Sequence, residues 1–262
     1  MNHKHFFAII AMVAMCIALF STCKKDKKNE SEKKFELEPE MVLVEAGTFT
    51  MGCTDTDCIV DRELPAHQVT LTKSYYIGKY EVTQAQWKAV MGNNPSYDQG
   101  DDLPVAWLSW EDVQKFIAKL NEMTGKNYRL PTEAEWEFAA RGGNQSKGYK
   151  YSGSDNIDDV AWYGAVAGGN SGNSTHTIGI KQPNELGIYD MSGNVYEYCN
   201  DLYASYTEEP QTDPQGSVGD SLRVVRGGDF YYSAMYCRVA YRGKVTPSFA
   251  YQNVGFRLVL SL

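Results

Sequence analysis

Apolar residues recur at helical spacing in three short segments, and each segment carries its own start and stop signals. In the first, Thr83 can cap a helix, Gln86 three residues later completes a capping box, and a glycine ends the element. The other two segments repeat this arrangement with an acidic residue three positions after the cap. The predicted caps and ends are Thr83 and Gly92, Ser109 and Gly125, and Thr132 and Gly142-Gly143.

β-Branched and aromatic residues cluster towards both ends of the same region, bounded by Gly or Pro, and this pattern predicts strands. The expected strands are 41–49, 69–80, 222–225, 239–244 and 256–262. We expect the first and last of them to pair. The stretch 143–219 is dense in Gly, Asn, Ser, Asp and Tyr and shows little periodicity. It is too long for a linker, which indicates an ordered, functional loop region.

The N-terminus begins with a short positive region and an apolar run over 6–20, which is too short to span a bilayer. The run ends in Ser21, Thr22 and Cys23 and is followed at once by charged residues. Residues 1–22 therefore resemble a bacterial lipoprotein signal peptide that is cleaved before a lipidated Cys23. The alternative is an ordinary secretory signal in which the cysteine is incidental.

Residues 23–40 read as the lipidated cysteine and a flexible tether, because 24–40 contain six Lys and six Asp or Glu and no apolar periodicity. From residue 41 the composition becomes aromatic-rich and Gly-rich and stays so to residue 262. The sequence thus predicts one folded domain, 41–262.

Charge and histidine content narrow the possible chemistry. The formal net charge is -8, which disfavours nucleic acid or an anionic membrane surface as a partner. Beyond the signal only His67 and His176 remain. This scarcity weakens any zinc, Ser-His-Asp or histidine-ligated iron proposal.

Four cysteines of the predicted domain would lie in an oxidising compartment, which favours two disulfides. Cys53 and Cys58 enclose a short loop, so a local bond is geometrically easy, and Cys199 with Cys237 is then the remaining pair. A metal site or free thiols are the alternatives.

Six segments in order resemble one known family, the formylglycine-generating enzymes or sulfatase-modifying factors, over essentially all of 41–262. They are Met41-Val-Leu-Val-Glu-Ala-Gly-Thr-Phe-Thr-Met-Gly52, Tyr80-Glu-Val-Thr-Gln-Ala-Gln-Trp87, Tyr128-Arg-Leu-Pro-Thr-Glu-Ala-Glu-Trp-Glu-Phe-Ala-Ala-Arg-Gly142, Asn184-Glu-Leu-Gly-Ile-Tyr-Asp-Met-Ser-Gly-Asn-Val-Tyr-Glu-Tyr198, Arg226-Gly-Gly228 and Asn253-Val-Gly-Phe-Arg257. The resemblance implies an α+β domain, a variant of the C-type lectin fold with little regular secondary structure.

In active members of this family, two cysteines after the Arg-Gly-Gly segment bind Cu(I) and, with oxygen, convert a sulfatase cysteine to formylglycine. Here Tyr232 stands where the first cysteine is expected, Asp229 stands where a serine is expected, and Cys237 aligns with the second cysteine. One thiolate makes a poor Cu(I) site. We therefore expect a non-catalytic domain. The alternative is a copper-dependent oxidase that uses Cys237 to mature sulfatases.

The resemblance also implies a structural calcium ion held by the side chains of Asp190 and Glu197 and the backbone carbonyls of Gly193 and Val195. Oxygen ligands of this kind suit Ca²⁺. The alternative is a plain turn followed by a strand.

The residues after Arg-Gly-Gly would flank the face on which active relatives receive their peptide. Aromatic rings mixed with Arg and Asp suit binding of a protein or glycan, although many of the tyrosines could instead pack in the core. The predicted face is Asp229, Tyr231, Tyr232, Tyr236, Arg238 and Arg242. The sequence thus predicts an outer-membrane lipoprotein, facing the periplasm or the cell surface, that binds a protein or glycan.

Overall fold

All three predicted helices are present in the structure, a computed structural model that describes residues 37–56, 58, 60–164, 166–216 and 221–262. Each of the three begins with a capping box, at Thr83, Ser109 and Thr132. The first ends at Gly92, whose φ of 82° is the left-handed conformation that glycine adopts without steric cost. The predicted signal peptide, Cys23 and most of the tether lie outside the described residues.

Apart from one helix of 15 residues, the helices and strands are short, and they are distributed over the unit Pro39–Leu262. The helices are α1 (Val60–Glu63), α2 (Gln84–Met91), α3 (Trp110–Thr124), α4 (Glu133–Ala140) and α5 (Ile157–Val160), with 3₁₀ turns at Gly143–Gln145 and Ala234–Cys237. The strands are β1 (Met41–Val44), β2 (Gly47–Met51), β3 (His67–Leu71), β4 (Tyr75–Gly78), β5 (Tyr128–Arg129), β6 (Tyr196–Leu202), β7 (Gln211–Thr212), β8 (Arg223–Arg226), β9 (Gly243–Val245), β10 (Val254–Gly255) and β11 (Val259–Ser261).

The strands form three small sheets with the orders β1-β4-β11-β5, β10-β6-β8-β9 and β2-β3-β7. The terminal strands β1 and β11 share a sheet, but they do not pair as expected. Both pair antiparallel with β4, where Ile77 faces Val42 on one side and Val259 on the other. Ile77 is fully buried, and the most buried of the three strands takes the central position. The mixture of helices and sheets gives an α+β domain.

Two of the predicted strands are each divided between two sheets. The stretch 41–49 contributes to β1 and then β2, and 69–80 contributes to β3 and then β4. At the crossing the Ala46 backbone N–H donates to the Ser74 hydroxyl (3.0 Å) instead of to a strand neighbour. A change of sheet within a run of β-forming residues leaves the propensity pattern unchanged, so the pattern predicts one strand where the fold has two.

The predicted strand 239–244 is wrong except for its last two residues. Carbonyls that would accept ladder hydrogen bonds accept instead from the Arg226 guanidinium, which donates to Val239 O (3.0 Å), Ala240 O (3.0 Å) and Tyr241 O. A buried arginine side chain therefore satisfies this backbone, and regular pairing begins only at β9.

The predicted loop region is ordered by its side chains. Asn184 donates to Ala139 O (2.8 Å) and accepts from the N–H groups of Leu186 (3.0 Å) and Ile188 (3.1 Å). The region also contains β6, which was not among the expected strands and was considered only as the alternative to a calcium site. Five of the seven β6 residues are buried, so the strand lacks the polar and apolar alternation of a half-exposed strand.

Helix α4 packs centrally, with Trp136 and Phe138 inside the main hydrophobic cluster, which also includes residues of β4, β8 and β11. A second aromatic group stacks Trp87 on Phe116 (5.1 Å between ring centroids) and sets Phe256 edge-on to both. In the described part of the chain, no helix combines the length and the apolar character needed to cross a bilayer.

Candidate functional site

Beneath the predicted binding face lies a layer of buried ion pairs between four arginines and four glutamates, which we call the charged layer. Five of its eight members belong to the segments that carry the family resemblance, and all eight are nearly or completely inaccessible to solvent. The pairs are Arg226 with Glu137, Arg242 with Glu133, Arg238 with Glu63, and Arg257 with Glu197.

Two residues of the predicted binding face, Arg238 and Arg242, belong to this layer, and their assignment to an accessible face is wrong. Arg238 donates to both oxygens of Glu63 (3.0 and 2.7 Å). Arg242 donates to both oxygens of Glu133 (2.5 and 2.7 Å). A buried arginine with a bidentate carboxylate partner has its charge satisfied inside the protein and offers little to an external ligand.

Asp229 is also buried, so its assignment to the accessible face is wrong too. Its carboxylate accepts from the N–H groups of Tyr231 (3.1 Å) and Tyr232 (2.8 Å) and from the Asn253 side chain. Burial raises the pKa of this carboxyl to about 6, and those hydrogen bonds oppose the rise. Asp229 therefore shapes the loop that presents the tyrosines.

The remaining three residues do reach the surface, and we call Tyr231, Tyr232 and Tyr236 the tyrosine face. Tyr232 has 42% of its surface exposed. Its ring centroid lies 5.3 Å from that of Tyr231 and 5.3 Å from that of Tyr236, in edge and tilted contacts. Tyr236 in turn rests edge-on against the buried Tyr241 at 5.0 Å. The rings support one another, which presents a pre-formed aromatic surface.

Cys237 lies beneath this face, where it is buried against Tyr151 and Val160. The backbone of Gly228 approaches it so closely that an added Cβ would come within 2.6 Å of the Cys237 Sγ. Burial raises the pKa of the thiol well above its usual range. Among the described residues, Cys237 belongs to no group of three His, Cys, Asp or Glu ligand atoms. The thiol is therefore protonated and enclosed.

The predicted Cys199–Cys237 disulfide is absent, and both thiols are free and buried. Cys199 sits in β6 within the main hydrophobic cluster, whereas Cys237 belongs to the separate small cluster. The two side chains are buried in different hydrophobic clusters. The sequence analysis paired them only because they were the two cysteines left over, and that argument contains no information about where each one packs. The Cys53–Cys58 disulfide is confirmed, with the two Cα atoms 5.6 Å apart.

The predicted calcium ligands fit a cation only in part. Both Glu197 oxygens accept from Arg257 (2.6 Å each), and one also accepts from the Trp136 indole N–H (2.6 Å). Among the described residues, the Gly179 N–H is the only donor to the Asp190 side chain (2.6 Å), and burial raises the pKa of this carboxyl to about 6. The fully buried Glu81 accepts from Asn194 and Val195, and burial raises its pKa as well. The buried carboxylates of Asp190 and Glu81 thus lie near Arg257, which is already paired with Glu197.

One surface feature was not predicted from the sequence, a cleft of about 120 Å³ beside the tyrosine face. We call it the Tyr97 cleft, and its lining includes Tyr97, Asp98, Asn173, Thr175, Tyr231 and Gln252. Tyr97 and its neighbour Trp107 are both exposed, with ring centroids 6.2 Å apart. The sequence signal was an aromatic residue within a Pro- and Gly-bounded loop, but segments distant in sequence create the cleft.

Comparison with known proteins places these motifs in a family. A profile described as the sulfatase-modifying factor enzyme 1-like domain matches residues 25–262. Chaperone protein LppX of Paenibacillus barcinonensis is 36% identical over 270 residues, which cover 85% of this chain and 89% of that protein. The formylglycine-generating enzyme of Streptomyces coelicolor is 35% identical over 191 residues, which cover 67% of this chain and 58% of the enzyme.

Solved structures agree with the sequence matches. Treponema denticola variable protein 1 superimposes with a TM-score of 0.77 at 32% identity, covering 85% of this chain and 95% of that one. PvdO from Pseudomonas aeruginosa superimposes with a TM-score of 0.71 at 32% identity, covering 86% and 95% of the two chains. The chain belongs to the sulfatase-modifying factor, or formylglycine-generating enzyme-like, family.

Proposed function

We propose that this protein is a binding member of its family that does not make formylglycine. The proposal depends on what occupies the positions of the two copper-binding cysteines. The position of the first active cysteine is Tyr232, and Cys237 is a buried, protonated thiol without a second thiol bonded to it. Cu(I) requires soft thiolate ligands, and this arrangement supplies no thiolate pair.

The proposed site of binding is the tyrosine face, and the proposed partner is a protein or glycan of the cell envelope. Tyrosine provides contact area at low conformational cost, with a hydroxyl for hydrogen bonding. A relative that is 36% identical is a chaperone protein, which supports a macromolecular partner. We also propose that Cys23 carries a lipid that holds the domain at the outer membrane; the Cys23→Ser variant should then leave the membrane fraction.

The alternative is that the protein is an oxidase. The 35% identity to a formylglycine-generating enzyme supports this alternative, and it can be tested directly. The purified protein is incubated with Cu(I), oxygen and a Cys-X-Pro-X-Arg peptide, and aldehyde is measured by mass spectrometry. We expect none, with Cys237→Ser indistinguishable from the wild type. Aldehyde that forms with the wild type and is lost in Cys237→Ser would establish the oxidase.

We propose in addition a structural Ca²⁺ ion beside Asp190, with carbonyl ligands from Gly193 and Val195. The carboxylates of Asp190 and Glu81, which form no salt bridge among the described residues, support the proposal, whereas Glu197 would have to share its oxygens with Arg257. The test is the thermal midpoint in Ca²⁺ and in chelator. A higher midpoint in Ca²⁺ that is lost in Asp190→Asn supports the site, and equal midpoints for the wild type reject it.

A further inference from the structure

The Tyr97 cleft is lined by loop residues and carries no cationic group among them. Its walls come from four separate segments, around Tyr97, Ala106, Asn173 and Tyr231, and are completed by Gln252. No Lys, Arg or His is among the described lining residues. Anionic ligands such as phosphates are therefore disfavoured, since they are held by cations or by aligned backbone N–H groups.

Several hydrogen-bonding groups of the cleft are available to a ligand. Asp98 Oδ2 is held by Thr175, which donates from its N–H (3.2 Å) and its hydroxyl (3.4 Å). Within the described residues, Asp98 Oδ1 and the amides of Asn173 and Gln252 make no protein hydrogen bond. The Thr175 contacts fix the orientation of one carboxylate, and the two amides add both donors and acceptors at its side.

Two exposed rings stand beside these polar groups. Tyr97 is 79% exposed and Trp107 is 41% exposed. Trp107 has a φ of 64°, which costs a bulky residue about 1 to 3 kcal/mol and is found mainly at functional sites. A backbone hydrogen bond stabilises this conformation, because the Trp107 backbone N–H donates to Tyr251 O (3.0 Å). The fold thus maintains a strained backbone that presents an indole to solvent.

We propose that the Tyr97 cleft binds a neutral carbohydrate. Rings offer an apolar surface to the C–H face of a sugar, while a carboxylate and two amides match adjacent hydroxyl groups that both donate and accept. An extended peptide would add its backbone to a strand edge, and no strand lines this cleft. The proposal rests on the proposed binding function and assigns its glycan ligand to the cleft beside the tyrosine face, with which the cleft shares Tyr231.

The test is titration of the purified protein with neutral oligosaccharides. The probes are cellotriose, laminaritriose, maltotriose, mannotriose and N-acetylated chitotriose, each at up to about 10 mM to cover millimolar dissociation constants. Calorimetry measures affinity, and saturation-transfer NMR identifies the sugar protons in contact. We expect at least one trisaccharide to bind, with saturation strongest on one face of a single ring.

Two cleft variants and one matched control locate the binding. Tyr97→Ala and Gln252→Ala should each weaken the affinity at least tenfold, and both side chains are exposed, so folding should persist. Phe249→Ala is the control, because this ring is 60% exposed and does not line the cleft. Unchanged folding is checked by the thermal midpoint.

The failures of the two proposals differ. Absence of binding to all five sugars, or equal loss in the Phe249→Ala control, would overturn the carbohydrate assignment. Capture of peptides that is lost in Tyr97→Ala would also overturn it, while the binding function would stand. Aldehyde formation in the copper assay would remove the binding function itself without any change in the sugar titration.

Discussion

The charged layer and the exposed aromatic surface differ in a way that reverses the usual placement of residues. Eight charged side chains are buried together, whereas Tyr97, Trp107 and Tyr232 are exposed. Charged residues are almost never fully buried unless they are paired, and here every member of the layer has a partner of opposite charge. Five of the eight lie in the family motifs, so those motifs contain much of the buried charge that holds the fold together, while Tyr97, Trp107 and Tyr232 lie outside them.

The reason for the reversal is the low content of regular structure. Long irregular segments expose carbonyls that no ladder satisfies, and arginine can reach several at once. Arg226 donates to the carbonyls of Val239 and Ala240, and Arg257 donates to the carbonyls of Gly78 and Tyr189 (2.9 Å each). Each glutamate then balances the charge that this backbone role brings into the core.

The largest expected effect comes from breaking the layer at Arg226. Arg226→Met leaves Glu137 buried without this cation and three carbonyls without a donor, so we expect the free energy of unfolding to fall by about 3 to 5 kcal/mol. Urea unfolding measures it. Lys115→Met removes the exposed pair with Asp112 and is the control, for which we expect little change. Equal effects in the two variants would refute the special role of the layer.

A smaller effect should come from Asp201, which accepts a hydrogen bond from Glu133 of the charged layer and should make the free energy of unfolding depend on pH. Burial first, and then the charge of Glu133, raises the pKa of Asp201 to about 7. Because the folded state holds this proton more tightly than the unfolded chain, its stabilisation is complete below pH 4 and is lost as the pH rises through 7. One such proton changes the free energy of unfolding by about 1.4 kcal/mol per pH unit.

Asp201→Asn keeps an oxygen to accept from the Glu133 N–H (2.9 Å), so it should flatten the urea-measured stability profile between pH 5 and 7. Asp213→Asn is the control. Hydrogen bonds from Thr72 lower the pKa of Asp213, so that substitution should act only at more acidic pH. Parallel profiles for wild type and Asp201→Asn would show that Asp201 is not the titrating group.

On the exposed side, Trp107→Gly should change stability by less than about 1 kcal/mol. Glycine adopts a φ of 64° without steric cost, and the relief of strain offsets the lost contacts. Trp136→Ala, at a fully buried ring, should cost about 3 to 5 kcal/mol. Urea unfolding compares them. If Trp107→Gly lowered the free energy of unfolding as much as Trp136→Ala does, Trp107 would be part of the structural core.

The smallest expected effect is the reactivity of the native thiols. Cys199 and Cys237 are buried and free, so N-ethylmaleimide should label neither in the folded domain within the time that labels a small thiol completely. In denaturant without reductant, mass spectrometry should find two labels. No label after denaturation would mean that these cysteines are bonded, as pairing by elimination had predicted.

Local signals in the sequence determined three of the five described helices, the local disulfide and the family. Capping boxes at Thr83, Ser109 and Thr132 act within four residues, and the Cys53–Cys58 loop closes over five, so neither needs distant partners. The order of the six motifs identifies the family because each motif is itself a contiguous string. All of these features are encoded by neighbours along the chain.

Only the tertiary structure decided which charged and aromatic residues face solvent. Arg238 and Tyr232 are six residues apart in one segment, yet one is buried against Glu63, 175 positions away, and the other is exposed. The division of 41–49 between two sheets, the free Cys199 and the Tyr97 cleft have the same origin. Each depends on contacts between distant segments, which composition and periodicity cannot encode because they describe one segment at a time.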